Sequence, residues 1–161
     1  MHTHCREATL FRDPNEDIVA RIIAQIKARG LDGIAITDHW DKEYGFKVKD
    51  IVERSFNSEV LIIPGQEIDI RWQQEVELFL PNGATFRFLA HPGYPAISNV
   101  IENIQGIEIE NALHFIDKER VMALAEEYDL LLLSNSDAHS IDTIGRYYTE
   151  IDIEELIARA R

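Results

Sequence analysis

Apolar positions along the chain switch between helical and strand periodicity, and the switches outline the elements. Ile18, Val19, Ile22, Ile23 and Ile26 recur at helical spacing, and Gly30 follows Arg29 as a stop. Ahead of them, Asp13-Pro14-Asn15-Glu16 offers an acceptor cap, a proline in the first turn and a glutamate three residues after the cap. This predicts a helix capped by Asp13. Residues 33–37 form a short apolar run that predicts a buried strand, and 43–56 a weaker helix. Residues 60–63 predict a strand that continues extended over 65–70, past Pro64. Residues 75–80 and 84–90 flank Pro81-Asn82-Gly83 and predict a hairpin. Ile97, Val100, Ile101 and Ile104 fit a short helix, and 106–110 a strand ending at Asn111. Asp117 can cap a helix containing Val121, Leu124 and Ala125, and 130–133 reads as a buried strand. A last strand is expected over 147–151, before a helix opened by an Asp152-Ile153-Glu154-Glu155 capping box. Strands alternating with helices imply a parallel sheet or barrel with crossover connections.

No repeat, low-complexity stretch or Gly/Ser linker divides the 161 residues, so a single domain over 1–161 is expected. The 29 acidic residues outnumber the 16 basic ones, for a net charge of −13. Such a surface disfavours a long nucleic-acid footprint but accepts a small anionic substrate held through metal ions. Cys5 is the one cysteine, so no internal disulfide forms, which suits a reducing cytoplasm. No apolar run approaches the ~20 residues of a membrane span, and the first residues contain no segment of signal-peptide type.

The chemistry concentrates at predicted strand ends. Of the six histidines, four lie in compact groupings: His2-Thr3-His4, Asp38-His39 and Asp137-Ala138-His139. Residues two apart on a strand share a face, so His2 with His4, and Asp137 with His139, can each grip one metal ion. Imidazoles and carboxylates suit Zn²⁺, Mn²⁺ or Fe²⁺. His39, Glu67, His91, Asp137 and His139 each sit at or just beyond the C-terminal end of a predicted strand. In closed β/α barrels that rim is where active sites are built.

Five motifs in order, His2-Thr3-His4, Ile36-Thr37-Asp38-His39, Gly65-Gln66-Glu67, Ala90-His91-Pro92-Gly93 and Ser136-Asp137-Ala138-His139, span essentially the whole chain. Together they resemble the PHP (polymerase and histidinol phosphatase) domain family. The resemblance implies an α/β fold, a distorted seven-stranded TIM-like β/α barrel, with two or three divalent ions at its C-terminal rim. It implies hydrolysis of phosphate esters, on a small phosphorylated metabolite or nucleotide. Carried over, His2, His4, Glu67 and Asp137 would hold one ion, and Glu67 would bridge to a second bound by His91 with His114 as helper. His39 and His139 would hold a third. Asp38 would orient an imidazole or a loop. Only Met1 precedes the His-x-His pair, so the first barrel strand is expected to be short or missing. Thr9 and Leu10 stand where the family places a further ligand of the third ion, with Glu7 and Asp13 nearby.

With two ions a few Å apart, a bridging water would attack phosphorus. If the third ion is absent, His139 or His39 would protonate the leaving group, and Arg6 and Arg146 are candidates for a phosphate clamp. One alternative is a metal-binding PHP domain of weak or no catalysis with a structural or regulatory role. Another is an amidohydrolase, which also begins with His-x-His. It normally uses a bridging lysine, and no lysine here sits at a strand end beside a motif.

Overall fold

The computed structural model describes residues 1–95 and 101–160. Its strands are β1 (Gly33–Ile36), β2 (Leu61–Ile70), β3 (Gln73–Phe79), β4 (Thr85–Leu89), β5 (Gly106–Asn111) and β6 (Leu131–Asn135). The helices are α1 (Cys5–Ala8), α2 (Glu16–Ala28), α3 (Lys42–Ser55), α4 (Lys118–Tyr128) and α5 (Ile153–Arg159). The six strands form one curled sheet in sequence order. Pairs β1/β2, β4/β5 and β5/β6 are parallel, whereas β2/β3 and β3/β4 are antiparallel. The β3/β4 pair is the expected hairpin, whereas the antiparallel β2/β3 pair departs from the expected parallel sheet. Strands β2 and β3 are joined by a two-residue turn at Arg71-Trp72, so the middle of the sheet is a meander.

The described residues hold six strands in a curled sheet and no closed seven-stranded barrel, with no strand formed at the first position. Where a first strand would lie, residues 2–4 span between the two sheet edges. Thr3 bridges Ala138 in parallel, the His4 amide donates to Ala138 O (2.9 Å), and the Thr37 amide donates to Thr3 O (2.8 Å). The edges are thus stitched at their C-terminal ends only. Below the stitch a groove of about 310 Å³ opens, lined by Met1, Gly33, Ala35, Ser136 and Tyr148 among others. The strand expected over 147–151 is absent. There Thr149 Oγ1 accepts from the Ser134 amide (2.8 Å) and donates to Ser134 O (3.2 Å), so a side chain takes the place of a ladder.

Inward-facing Ile63, Val76, Leu78, Phe86, Phe88 and Leu133 pack together, and Leu156 of α5 joins them. Outside, Ile22 and Ile26 of α2 and Val48 and Val52 of α3 cover Ile34, Ile36 and Ile62. Val121 and Ala125 of α4 cover Leu89 and Ile107. A strand covered on both faces reads as nearly continuous apolar sequence, which is why β1 and β6 were legible. The cap of α2 is Asn15, whose Oδ1 accepts from the Ile18 amide (3.0 Å), and not Asp13, which pairs with Lys47. The Asp117 cap forms, but Asp152 makes no side-chain cap bond, so the second capping box does not close. Ile97 and Val100 of the expected short helix lie outside the described residues, and Ile101–Ile104 is irregular.

Candidate metal centre

Each candidate ligand is positioned by a strand end. His2 and His4 flank the Thr3 bridge, and His39 pairs with Glu67 in a single parallel bridge beyond β1. Glu67 is a β2 residue on the inward face shared with Ile63 and Gly65. A Cβ at Gly65 would stand 2.4 Å from Glu77 O, so only glycine lets β3 approach here. His91 follows β4 with φ +25°, and Asp137 follows β6 with φ +46°. Left-handed backbone costs a non-glycine residue about 1–2 kcal/mol. Its presence at two candidate ligands fits a site where strain is retained for function.

The side chains converge closely. His2 Nε2 and His4 Nε2 are 3.0 Å apart. Glu67 Oε2 lies 3.3 Å from the first and 3.4 Å from the second, and Asp137 Oδ1 lies 3.5 Å and 3.1 Å from them. A tetrahedral ion with ligand bonds of about 2.0–2.1 Å separates its donors by roughly 3.3–3.4 Å. Asp137 Oδ1 is buried with no hydrogen-bond partner, although its sister Oδ2 accepts from Asn111 Nδ2 (3.2 Å). A buried anionic oxygen left bare costs free energy unless a cation meets it. The donor set therefore fits a divalent ion.

Glu67 faces two ways. Its Oε2 meets His2, His4 and, at 3.0 Å, His39 Nδ1, whereas Oε1 meets His91 Nε2 at 3.1 Å. Farther out, His39 Nε2 and His139 Nε2 lie 3.8 Å and 3.5 Å from the Glu7 carboxylate. Three ligand groups result: His2/His4/Glu67, His2/His91/Asp137 and His4/Glu7/His39/His139. Electrostatics favours cations here. The buried Glu67, Glu108 and Asp137 are met by imidazoles, side-chain amides and a backbone amide, with no lysine or arginine contacting them among the described residues. Burial lowers the His4 imidazole to about 4, keeping it neutral and able to ligate. In His2 burial also pulls down, but the charges of Glu108 and Glu67 outweigh it and raise the ring's pKa. Those two carboxylates want positive charge beside the ring, which a metal ion would supply.

Residues 115–160 match a family model described as PHP-associated. No curated protein matches the chain at a significant level. The fold is similar to that of PsfC from Pseudomonas syringae PB-5123, at a TM-score of 0.71 and 16% identity over 100% of this chain and 87% of that one. It is also similar to a Bifidobacterium adolescentis ATCC 15703 protein named "putative metal-dependent phosphoesterase". That match has a TM-score of 0.72 and 14% identity over 99% of this chain and 96% of that one. The family match lies in the last third of the chain, and the two solved structures share its fold.

Within the candidate centre, the structure brings together His2, His4, Glu67, His91 and Asp137, with His39 and His139 at the outer edge. His114 stands apart from the three groups. Its Nε2 is 3.8 Å from Asp137 Oδ2, and its ring lies between His91 and Tyr94, with centroids at 4.3 Å and 4.5 Å. Asp38 is not in a ligand group: its Oδ1 accepts from the Arg6 amide (2.8 Å) and so fixes the turn after His4. Arg6 itself donates to Asp41 Oδ2 (2.7 Å), and Arg146 is exposed just after the turn over 141–143. Cys5 is fully buried in the outer core, as a small filler.

Glu108 is the residue that sequence reasoning passed over. It is wholly buried beneath the site. Its Oε1 accepts from His2 Nδ1 (2.9 Å) and Asn135 Nδ2 (2.9 Å), and its Oε2 from the His91 amide (2.7 Å) and Asn111 Nδ2 (2.9 Å). Holding the proton on His2 Nδ1 aims the Nε2 lone pair into the site. Asn111 also bonds Asp137 and, through Oδ1, the Leu113 and His114 amides (2.8 and 3.0 Å). The available signal was an acid flanked by isoleucines on a strand covered on both faces.

Proposed function

We propose that this chain is a metal-dependent phosphoesterase that hydrolyses small phosphate esters through a multinuclear divalent-metal centre. The observation that carries the reading is the convergence of His2, His4, Glu67 and Asp137 donor atoms, which lie 3.0–3.5 Å from one another wherever an imidazole is one of the pair. Divalent ions in such a centre hold phosphate oxygens as Lewis acids and acidify water for attack. The protein's own residues supply the rest. Glu67 presents one carboxylate oxygen to each side and so sets the spacing of the two inner positions. Glu108 and Asn111 orient His2 and Asp137 from beneath. His139 Nδ1 donates to Asp137 O (3.0 Å), so with the outer position free of metal and the ring carrying a second proton on Nε2, beside Glu7, that atom would pass a proton to the leaving alcohol. His39, also rimward, can serve the same end. The residues cover a hydrolase without requiring Arg6, which is paired with Asp41, or Arg146.

The test is phosphate release from a panel of monoesters and diesters by metal-stripped protein, before and after adding Mn²⁺ or Zn²⁺, with metal counted by anomalous scattering. Hydrolysis restored by metal, with at least two ions per chain, is the expected result. Metal binding without hydrolysis of any ester would replace this reading with a structural or regulatory role.

A further inference from the structure

The end of the sheet away from the candidate ligands carries chemistry of its own. There Pro81-Asn82-Gly83 joins β3 to β4, and all three residues are exposed. Of the seven asparagines in the chain, Asn82 is the one followed by glycine. Such a pair sets an electrophile, the side-chain carboxamide carbon Cγ, beside a nucleophile, the next backbone nitrogen. Conformation and access decide whether the two close into a ring.

Both conditions are met at the turn. Asn82 Oδ1 accepts from the Ala84 amide (3.1 Å), a side-chain turn that lays the carboxamide alongside the Gly83 peptide. A Cβ added at Gly83 would meet nothing within 4 Å, and its φ of +84° is one that glycine adopts freely. The ladder ends before the turn, at the Phe79–Thr85 pair, and is closed by the Leu80 amide on Ala84 O (3.0 Å). The Gly83 amide donates to Leu80 O (2.9 Å), which restrains the nucleophile, but bonds at exposed turn tips open at little cost.

Asp32-Gly33 provides the contrast, with a carboxyl in place of the amide. Gly33 opens β1 opposite Leu61, and the Leu61 amide donates to Asp32 O (2.9 Å). A Cβ at Gly33 would stand 2.2 Å from Leu61 O. Sheet pairing therefore fixes that peptide, whereas the turn leaves 82–83 outside the ladder.

We propose that Asn82 is a self-modification site, converting to aspartate and isoaspartate in the folded protein with water as co-reactant. Base removes the Gly83 amide proton, the nitrogen bonds to Asn82 Cγ, and the Cγ–Nδ2 bond breaks as ammonia leaves with a proton. Water then adds across one of the two carbonyl–nitrogen bonds of the cyclic imide, and nothing is oxidised or reduced. Opening at one bond restores the backbone with an aspartate side chain. Opening at the other routes the backbone through the side chain and lengthens the turn by a methylene. Either product adds one negative charge to the net −13. The longer one also strains the Leu80–Ala84 closure of the hairpin.

The test incubates the full chain in heavy-oxygen water at neutral and mildly alkaline pH, native and in urea. Peptides are mapped over time by mass spectrometry, and isoaspartate is read by enzymatic methyl transfer. Asn82 should convert ahead of every other asparagine, to both isomers, each carrying one solvent oxygen, and faster at the higher pH. Its native rate should fall no more than about tenfold below the rate in urea, while Asp32 isomerises in urea alone. N82S should remove the signal with an unchanged circular dichroism spectrum. An Asn82 amide that persists in the native chain but converts in urea would overturn the proposal. So would aspartate formed without isoaspartate, the mark of direct hydrolysis, or equal native rates at Asn82 and Asp32.

Discussion

The inner and outer halves of the candidate metal centre use the same residue types but are built differently. Inside, His2, His4 and Glu67 are at most 1% exposed, and the contacts of His2 and His4 with Glu67 and Asp137 fall between 3.1 and 3.5 Å. Outside, His39 and His139 are 38% and 37% exposed, and their contacts with Glu7 stretch to 3.8 and 3.5 Å. The inner donors stand on strand ends with Glu108 and Asn111 locking them from below. Glu7 stands on a four-residue helix. Preorganisation thus comes from the floor of the curled sheet, and side chains that rise away from it lose that support.

The comparison is broken most sharply at Glu67. E67Q keeps the shape but removes the charge shared by the two sides, so phosphate release should fall to background with little loss of fold, read by circular dichroism. Wild-type rates in E67Q would make the bridging role wrong. Next, chelation removes the cations from both halves at once. At metal concentrations about 100 times Kd the loss is about 2.7 kcal/mol, which lowers Tm by about 5–10 °C in a domain of this size. A Tm indifferent to chelator would argue against a preformed inner site. E108Q tests the floor specifically: inner-site affinity should drop ~10–100-fold by calorimetry although Glu108 touches no ion. The smallest effect belongs to E7Q, since exposed charge pairs contribute about 0–1 kcal/mol. An outer cation should bind less than about tenfold more weakly, and added phosphate should tighten it by linkage. If E7Q cost as much as E67Q, the division into a rigid inner and a loose outer half would fail.

Much of this division could be read from sequence, for a physical reason. Ligand residues gather at strand ends, and buried parallel strands announce themselves as apolar runs, so Ile34-Ala35-Ile36 pointed to His39 and Leu130–Leu133 to Asp137. Glu108 was hidden because isoleucine alternating with glutamate looks the same whether the acid faces water or the inside of the curled sheet. The β2–β3 hairpin was hidden because Arg71-Trp72 contains none of the usual turn residues. Its backbone cost is met by tertiary context, which local propensity does not contain. Asp13 and Asn15 both offer an acceptor oxygen, and only the observed geometry distinguishes them. The short first strand was visible in the sequence, but the open groove beneath residues 2–4 was not.

Those residues, 2–4, also bear on time. They join positions that are more than 130 residues apart along the chain, as in the Thr3–Ala138 bridge. Contacts of such separation are costly in loop-closure entropy, so they form late in folding and are among the first to reopen. His2 and His4 ride on that segment. A bound ion would therefore leave at the pace of a few residues peeling from the sheet edge, not at the pace of ligand exchange in water. The same ion would act as a latch that slows unfolding while doing little to hasten folding.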